Sequence, residues 1–189
     1  MSKIIFDDKF EYIPWAHTNG EGKISLESGR GHSSDAVLKL VPSKVDELHR
    51  IVARPSERLV KCLFRFAVLG ADISNIGFYV GYRTNGTWFR AKVLHDLQQD
   101  EWLVQGNPVL QRDLNESRSH AFWHEVEIVV DQWSNLLLYA RIDEQIFNGG
   151  LLASSADSAL PDWLDVAVEV TNGKSEVLID QVKCEAFDV

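Results

Sequence analysis

The sequence has few cysteines, fewer cations than acids and no long apolar run, and each shortage excludes a class of protein. The two cysteines among 189 residues, Cys62 and Cys184, lie in no metal-type cluster. With 19 Lys and Arg against 28 Asp and Glu, the formal net charge is −9. This charge argues against a protein that binds nucleic acid over a broad basic surface. No stretch approaches the length of a membrane span. We therefore expect neither nucleic acid nor a membrane as partner.

Targeting signals and catalytic motifs are scarce as well. The start, MSKIIFDDKFEYIPW, has no apolar run long enough for a signal peptide. A cytoplasmic location is the default expectation, and an extracellular one is the alternative if a leader was removed. The sequence contains no phosphate loop, no dinucleotide fingerprint and no Ser-His-Asp signature. Its six histidines lack the spacing of a catalytic zinc site, so each is expected to be structural.

Short apolar runs separated by Gly, Asn, Asp, Ser or Pro make up most of the chain and predict strands. Helical periodicity is weak, and the best candidate is a short helix over 42–52, where Val45, Leu48 and Val52 would share a face. Many strands and few helices predict an all-β sandwich of two antiparallel sheets, with residues 1–189 as one domain. The predicted strands are 3–6, 22–27, 36–41, 58–69, 76–83, 87–94, 122–130, 136–142, 164–171 and 176–187.

The segment 77–94 predicts a hairpin whose two faces differ in character. Asn85-Gly86 is a strong signal for a type I′ turn, because both central residues need positive φ. With that turn, alternation along the strands assigns one apolar face to the core. The residues of the opposite face are Tyr79, Gly81, Arg83, Trp88, Arg90 and Lys92.

A second hairpin is predicted from WHEVEIVVD and LLLYARID, at 123–131 and 136–143. Alternation puts Glu125 and Glu127 on one face, and Glu127 can pair with Arg141 on the next strand. The segment 95–120 is long for a loop, and we expect it to hold a short strand at Trp102–Val104 and a polar rim at 111–120.

Five segments, in this order, resemble jelly-roll domains of the concanavalin A-like lectin and glucanase superfamily, including laminin-G-like modules. They are FDDKFEYIPW, GRGHSSDAVLKL, WHEVEIVVD, ARIDEQIFNGG and VLIDQVKCEAF. In those domains a strand of the type Trp-His-x-Val-x-Ile-x-Val-Asp leads into one that ends in Ile-Asp-Gly. Glu144 stands here where that glycine is usual. The resemblance covers nearly the whole chain and implies the jelly-roll fold.

The same resemblance implies several functions, because this fold carries lectins, carbohydrate-binding modules, hydrolases and lyases. A structural calcium ion near the first and last strands would use Asp7, Asp8 and Asp180. A glycoside hydrolase would use paired carboxylates, for which Glu125 and Glu127 are candidates, although the family motif is incomplete. A lyase would use a base and cations such as Tyr79, His95 and Arg83, Arg90 and Lys92, without its usual companion motifs.

Rings and cations on one sheet face suit a sugar, since aromatic faces stack on pyranose rings and charged planar groups bond hydroxyls or carboxylates. The alternative is a solvated Arg–Trp ladder, or a face covered by a loop or a second subunit. We predict a non-catalytic, lectin-like module for an oligo- or polysaccharide, with an acidic glycan as one option. A polysaccharide-active enzyme and a protein-interaction module are the alternatives. The predicted ligand-binding residues are Tyr79, Arg83, Trp88, Arg90, Lys92, Glu127 and Arg141.

Overall fold

A computed structural model describes residues 2–10, 15–18, 21–32, 35–70, 73–111, 123–156, 162–171 and 175–188. Their regular structure consists of sixteen strands and no helix, so none of the described segments is a helix able to cross a membrane. The strands are β1 (Lys3–Asp8), β2 (Ala16–Thr18), β3 (Lys23–Ser28), β4 (Ala36–Val41), β5 (Val45–Ala53), β6 (Leu59–Leu69), β7 (Asn75–Thr84), β8 (Thr87–Asp96), β9 (Glu101–Val104), β10 (Asn107–Gln111), β11 (His124–Asp131), β12 (Leu136–Ile142), β13 (Gln145–Asn148), β14 (Ala153–Ala156), β15 (Trp163–Thr171) and β16 (Glu176–Phe187).

The strands form two antiparallel sheets of eight. The front sheet has the order β10-β9-β8-β7-β15-β5-β2, and β14 also pairs with β8. The back sheet has the order β13-β12-β11-β6-β16-β4-β3, and β1 also pairs with β16. The predicted all-β sandwich is confirmed. The expected strand at Trp102–Val104 is part of β9, whereas the expected polar rim lies from 112 onward outside the described residues.

One apolar core lies between the sheets, because alternate residues of each strand point inward. From the front sheet, Phe78, Val80 and Tyr82 contribute, and from the back sheet Phe64 and Phe66; all five are fully buried. Phe78 packs against Phe66 with a ring separation of 4.6 Å. The central strands are therefore fixed by burial on their inner face, and their outer residues are left to form two exposed faces.

The two cysteines face each other across the back sheet. Cys62 and Cys184 occupy directly opposed positions of β6 and β16, and both are buried. Their sulfur atoms lie 2.7 Å apart. Burial raises the pKa of the Cys62 thiol well above its usual value, so the reactive thiolate is disfavoured. Both side chains act as small core groups.

The predicted helix over 42–52 is wrong, because β5 occupies this segment and pairs with β15 over nine residues. Its alternation is disguised by a buried polar residue on the inner face. Asp46 is fully buried and accepts hydrogen bonds from the Ser43 and Gly22 amides, at 2.8 and 2.9 Å. On the outer face, Val45 and Ile51 are exposed although they are apolar. A polar residue on the inner face and apolar residues on the outer face together give the segment the apolar spacing of a helix.

Candidate functional site

The β7–β8 hairpin has the register that its turn predicted. Asn85 and Gly86 have φ angles of 49° and 73°, as a type I′ turn requires. The outer pairs are Tyr79 with Lys92, Gly81 with Arg90, and Arg83 with Trp88. Rings and cations therefore share the outer face of the front sheet. Arg83 departs from the expectation: it is only 3% exposed and does not border the open part of this face.

Gly81 makes room for the Trp88 indole. A Cβ atom at position 81 would lie 2.4 Å from Trp88 Cζ2, closer than side chains pack. The indole thus rests against bare backbone, which is a use of glycine in a strand interior. Trp163 of β15 meets the same indole edge to face, with ring centroids 6.4 Å apart. Trp88 is therefore held in place while part of its ring stays exposed.

A depression runs from this indole across four strands. It is called the front cleft here, and it crosses β8, β7, β15 and β5. Two small residues, Gly81 and Ala167, line it between the larger side chains. Its described lining residues are Glu47, His49, Tyr79, Gly81, Trp88, Arg90, Asp165, Ala167 and Glu169.

At the β5 end of the front cleft, His49 lies between two carboxylates. Its Nδ1 is 2.9 Å from Asp165 Oδ2, and its Nε2 is 3.3 Å from Glu47 Oε2. The hydrogen bond to Asp165 raises the pKa of His49, Glu47 adds to the rise, and partial burial opposes it. Both ring nitrogens face acceptors, so this arrangement favours the doubly protonated imidazolium.

Tyr79 forms the middle of the front cleft. Its hydroxyl donates to Glu169 Oε2 over 2.8 Å, and the phenol is 4% exposed. Burial raises the pKa of Tyr79, and the Glu169 carboxylate raises it further, so the phenol stays protonated. The hydroxyl therefore fixes the Glu169 carboxylate in position.

Two cations lie over the Tyr79 ring. The Arg90 guanidinium carbon is 4.6 Å from the ring centroid and the Lys92 Nζ is 5.0 Å from it. Lys92 also lies 4.0 Å from Glu169. Arg90 is exposed, and its side chain has no hydrogen bond or ion pair with any other described residue. Its guanidinium donors are therefore available to a ligand.

The sequence interpretation missed the carboxylates and the histidine of the front cleft. Glu47 and His49 were placed in the false helix, so their outward alternation on β5 went unread. Asp165 and Glu169 lie in a strand that was predicted, and they alternate outward with Ala167. That alternation was a usable signal on its own. Their position next to Tyr79 could not be read from the sequence, because it depends on β15 lying between β5 and β7.

Glu127 and Arg141 are not neighbours of the front cleft. They lie on β11 and β12 of the back sheet, so placing them in one site with Trp88 was wrong. Their expected cross-strand pairing is confirmed, with 3.6 Å between Arg141 Nη2 and Glu127 Oε2. Tyr139 also donates to Glu127 over 2.9 Å. Glu127 therefore belongs to a network of the back sheet.

The three expected calcium ligands are not brought together. Asp8 accepts from Trp15 Nε1 over 3.0 Å, Asp7 accepts from Gln181 over 2.6 Å, and Asp180 accepts from the His32 amide over 2.9 Å. Asp7 and Asp8 are adjacent on β1 and so point to opposite faces. Within the described residues, no three acid, His or Cys side chains gather as a metal site.

His95, a candidate base of a lyase, faces the core. It is fully buried, and its ring centroid lies 4.8 Å from that of Trp102. It alternates with Arg90 and Lys92 on β8 and so lies on the other face of the sheet. It therefore cannot act beside Tyr79 as the base of a lyase would, and its expected structural placement is confirmed.

Comparison with known structures shows the fold. The chain resembles the globular domain of T. cruzi calreticulin, with 11% identity, a TM-score of 0.56, and 96% of this chain and 88% of that one covered. It resembles the CBM2 module of the evolved Dit protein of Lactobacillus casei BL23 phage J-1, with 12% identity, a TM-score of 0.53, and 100% and 97% covered. It resembles the metal-free carbohydrate recognition domain of Emp46p, with 12% identity, a TM-score of 0.52, and 94% and 90% covered.

No protein-family model matches the sequence, and no curated protein matches it either. The structural similarities extend over nearly the whole chain at low identity. They confirm the jelly-roll fold that the sequence motifs implied.

Proposed function

We propose that this chain is a non-catalytic carbohydrate-binding module and that its sugar binds in the front cleft. One observation carries the proposal: the half-buried Trp88 indole lies in one cleft with the guanidinium of Arg90 and with carboxylates that are held in place by hydrogen bonds. The accessible part of the Trp88 indole offers apolar area to the face of a pyranose ring. The charged groups offer strong hydrogen bonds to hydroxyls. A flat, solvated Arg–Trp ladder would have no such cleft.

The fold neighbours support this function without assigning it. One is described as a carbohydrate recognition domain and another as a CBM2 module. The jelly-roll also hosts other activities, so the argument depends on the cleft residues. Protein docking on this face remains the alternative, and it predicts protection of Trp88 by a partner instead of by a sugar.

The decisive experiment compares two tryptophan variants on a glycan array. Wild-type protein is expected to bind a subset of sugars, and Trp88→Ala is expected to lose that binding by about thirtyfold, as for a central interface tryptophan. Trp133→Ala is the matched control, because Trp133 is 66% exposed in the β11–β12 turn, away from the cleft. Equal binding by both variants, or no binding by wild-type protein, would contradict the proposal.

A second candidate function is general acid–base chemistry, and one observation favours it. His49 is oriented by Asp165 in an open cleft, as a catalytic imidazole is oriented by a carboxylate. If sugars are turned over, wild-type protein releases reducing or unsaturated ends and His49→Gln does not. Binding that persists for hours with an intact oligosaccharide supports the non-catalytic module.

The role of a structural calcium ion is tested separately from sugar binding. One neighbour of the same fold is a potassium-bound form of the Emp46p domain. In this chain, Asp7, Asp8 and Asp180 already accept hydrogen bonds from protein donors. We expect sugar binding to survive EDTA, measured by isothermal titration calorimetry. If EDTA abolished sugar binding and added calcium restored it, these three residues would be metal ligands after all.

A further inference from the structure

We propose that the ligand is an anionic polysaccharide chain, bound along a trough that leaves the front cleft past Arg90. This inference rests on the proposed function and adds the length and the charge of the ligand. Three contiguous depressions form the trough, and a free guanidinium lies where the first meets the second.

The middle depression adjoins the front cleft and has a volume of about 360 Å³. Its described lining residues are Arg90, Lys92, Gln105, Gly106, Leu151, Leu152 and Ala153. Arg90 lines both this depression and the front cleft. A ligand that passes the guanidinium can therefore occupy both.

The edge depression continues the trough over a further 290 Å³ or so. It shares Gln105 and Leu151 with the middle depression. Its described lining residues are Val104, Gln105, Asn107, Val109, Asn148, Gly149, Gly150 and Leu151. Both volumes fall near the lower end of the range of small-ligand sites.

The pairing of β8 explains how the trough leaves the sheet beside Lys92. The outer edge of β8 pairs with β14 up to Arg90 and with β9 from Val93 onward. Between these two partners, the sheet edge is interrupted beside Lys92. The trough leaves the sheet through this notch, between the β9–β10 turn and the start of β14.

Gln105 braces the notch. Its side chain accepts from the Lys92 amide over 2.9 Å and donates to the Leu151 carbonyl over 3.3 Å. Gly106 and Gly150 leave bare backbone beside it, since a Cβ atom at either would meet nothing within 4 Å. The walls are therefore tied together while the space between them stays empty.

The length of the trough exceeds a single sugar. From β5 to β14 it crosses four gaps between neighbouring strands, about 19 Å in all at the usual strand spacing. The front cleft alone is shallow, about 20 Å³ in volume, so a sugar unit would lie over it and not inside it. A chain of several units would fill the trough and gain contact area with each unit.

Charge changes along the trough. Glu47, Asp165 and Glu169 line the front cleft, whereas no acid is among the described lining residues of the middle depression. Arg90 and Lys92 are the charged groups there. A carboxylate or sulfate on the sugar passing this point would accept charge-assisted bonds from Arg90. The net charge of −9 does not prevent this, because surface charges beyond about 8 Å are screened at physiological ionic strength.

The charge is tested with paired sugars of one backbone: oligogalacturonides with their methyl esters, and heparin oligosaccharides with their desulfated forms. Isothermal titration calorimetry should give at least threefold tighter binding for the acidic member of one pair, weakening as sodium chloride rises. Equal affinities within both pairs would overturn the anionic ligand. Preference for the uronate pair or for the sulfated pair identifies the source of the charge.

Arg90→Ala should lower affinity for the acidic member about tenfold, as expected for a hydrogen bond to a charged group, and should leave its neutral partner within twofold. Lys23→Ala is the matched control, since it removes the same charge from an exposed position on the back sheet. An equal effect of the two substitutions would show that only net charge matters and would overturn the role of Arg90.

The length of the bound chain is tested with Gly150→Trp. The new side chain would fill the edge depression, because a Cβ atom added at position 150 meets nothing within 4 Å. For wild-type protein, affinity should rise with chain length until the trough is filled. For the variant it should stop rising at a shorter length, while affinity for disaccharides stays unchanged. Identical length series for the two proteins would overturn the trough.

Failure of this inference is distinguishable from failure of the proposed function. If wild-type protein binds neutral sugars through Trp88 with no gain from charge or length, only the anionic chain is excluded. If it binds none of the sugars, both are overturned.

Discussion

The outer faces of both sheets carry charges but use them differently. On the back face, charges are paired with one another across strands: Lys39 lies 2.9 Å from Glu27, and Lys61 lies 3.3 Å from Glu185. Arg65 contacts Glu125 and lies 3.7 Å from the buried Asp180. Each of these cations has an acid of the same sheet as its partner.

On the front face, Arg90 is exposed and stacks on Tyr79 without an acid partner among the described residues. Next to it, Trp88 lies over a glycine, and His49 is held between two acids. A paired, ring-poor face is what a solvated sheet needs. Solvent-exposed donors beside a ring can exchange their water for the polar groups of a ligand. The contrast teaches that charge count says little about a binding face, whereas charge pairing says much.

The largest expected effect breaks the back face. Arg65→Met removes one of the two cations beside Glu125 and the cation beside the buried Asp180, so we expect the free energy of unfolding to fall by about 3 kcal/mol, as for a broken buried ion pair. Arg90→Met is the matched front-face change and should stay within about 0.5 kcal/mol. Urea unfolding followed by tryptophan fluorescence measures both. Equal losses for the two variants would remove the distinction between the faces.

The next effect sharpens the front face. Gly81→Ala puts a methyl group where the Trp88 indole lies and displaces the ring, so sugar affinity should fall about tenfold, or 1.4 kcal/mol. Gly150→Ala, whose new Cβ meets nothing within 4 Å, is the control and should bind disaccharides normally. Calorimetry measures both affinities, and unchanged binding by Gly81→Ala would show that Trp88 does not hold the ligand.

A smaller effect concerns the histidine of the front cleft. Because Asp165 raises its pKa in the folded state, protonated His49 adds stability that is fully present below the unfolded value of about 6.5. That stability is lost as pH rises through the folded-state pKa. NMR titration should place the His49 pKa above that of a free histidine, and Asp165→Asn should lower it. A pKa in Asp165→Asn equal to that of wild type would show that the Asp165 contact is not maintained in solution.

The smallest effect returns to the back face. Glu127→Gln keeps the shape of the side chain and removes the charge that pairs with Arg141, so stability should change by no more than about 1 kcal/mol. Sugar affinity should stay within twofold, because Glu127 lies in the other sheet. Calorimetry checks the affinity, and a tenfold loss would mean that a ligand also contacts the back face.

Much of the fold was predictable because the patterns are local. Asn85-Gly86 fixes the β7–β8 register, and the register fixes which face Trp88, Arg90 and Lys92 occupy. Alternation failed at β5 for a local reason too: Asp46 is polar but faces inward, held by His17 and two backbone amides. A buried aspartate that accepts hydrogen bonds from protein groups cannot be distinguished in the sequence from an exposed aspartate.

The site was predictable only in part. The hairpin side of the front cleft follows from one turn, whereas its acidic side comes from β5 and β15, more than seventy residues apart in the chain. Glu127 and Arg141 were assigned to the same site on the expectation that their strand lies next to the hairpin of residues 77–94. Which hairpin joins which sheet is not encoded in the pattern of either hairpin.

The sequence by itself determined the strands, the turn at Asn85-Gly86 and the sorting of side chains to two faces, because alternation and turn geometry act between near neighbours. The tertiary structure decided which strands lie side by side, and so brought His49, Asp165 and Glu169 to Tyr79 and separated Glu127 from Trp88. Strand order is chosen by how all the apolar faces pack into one core, a property of the whole chain that no single segment carries.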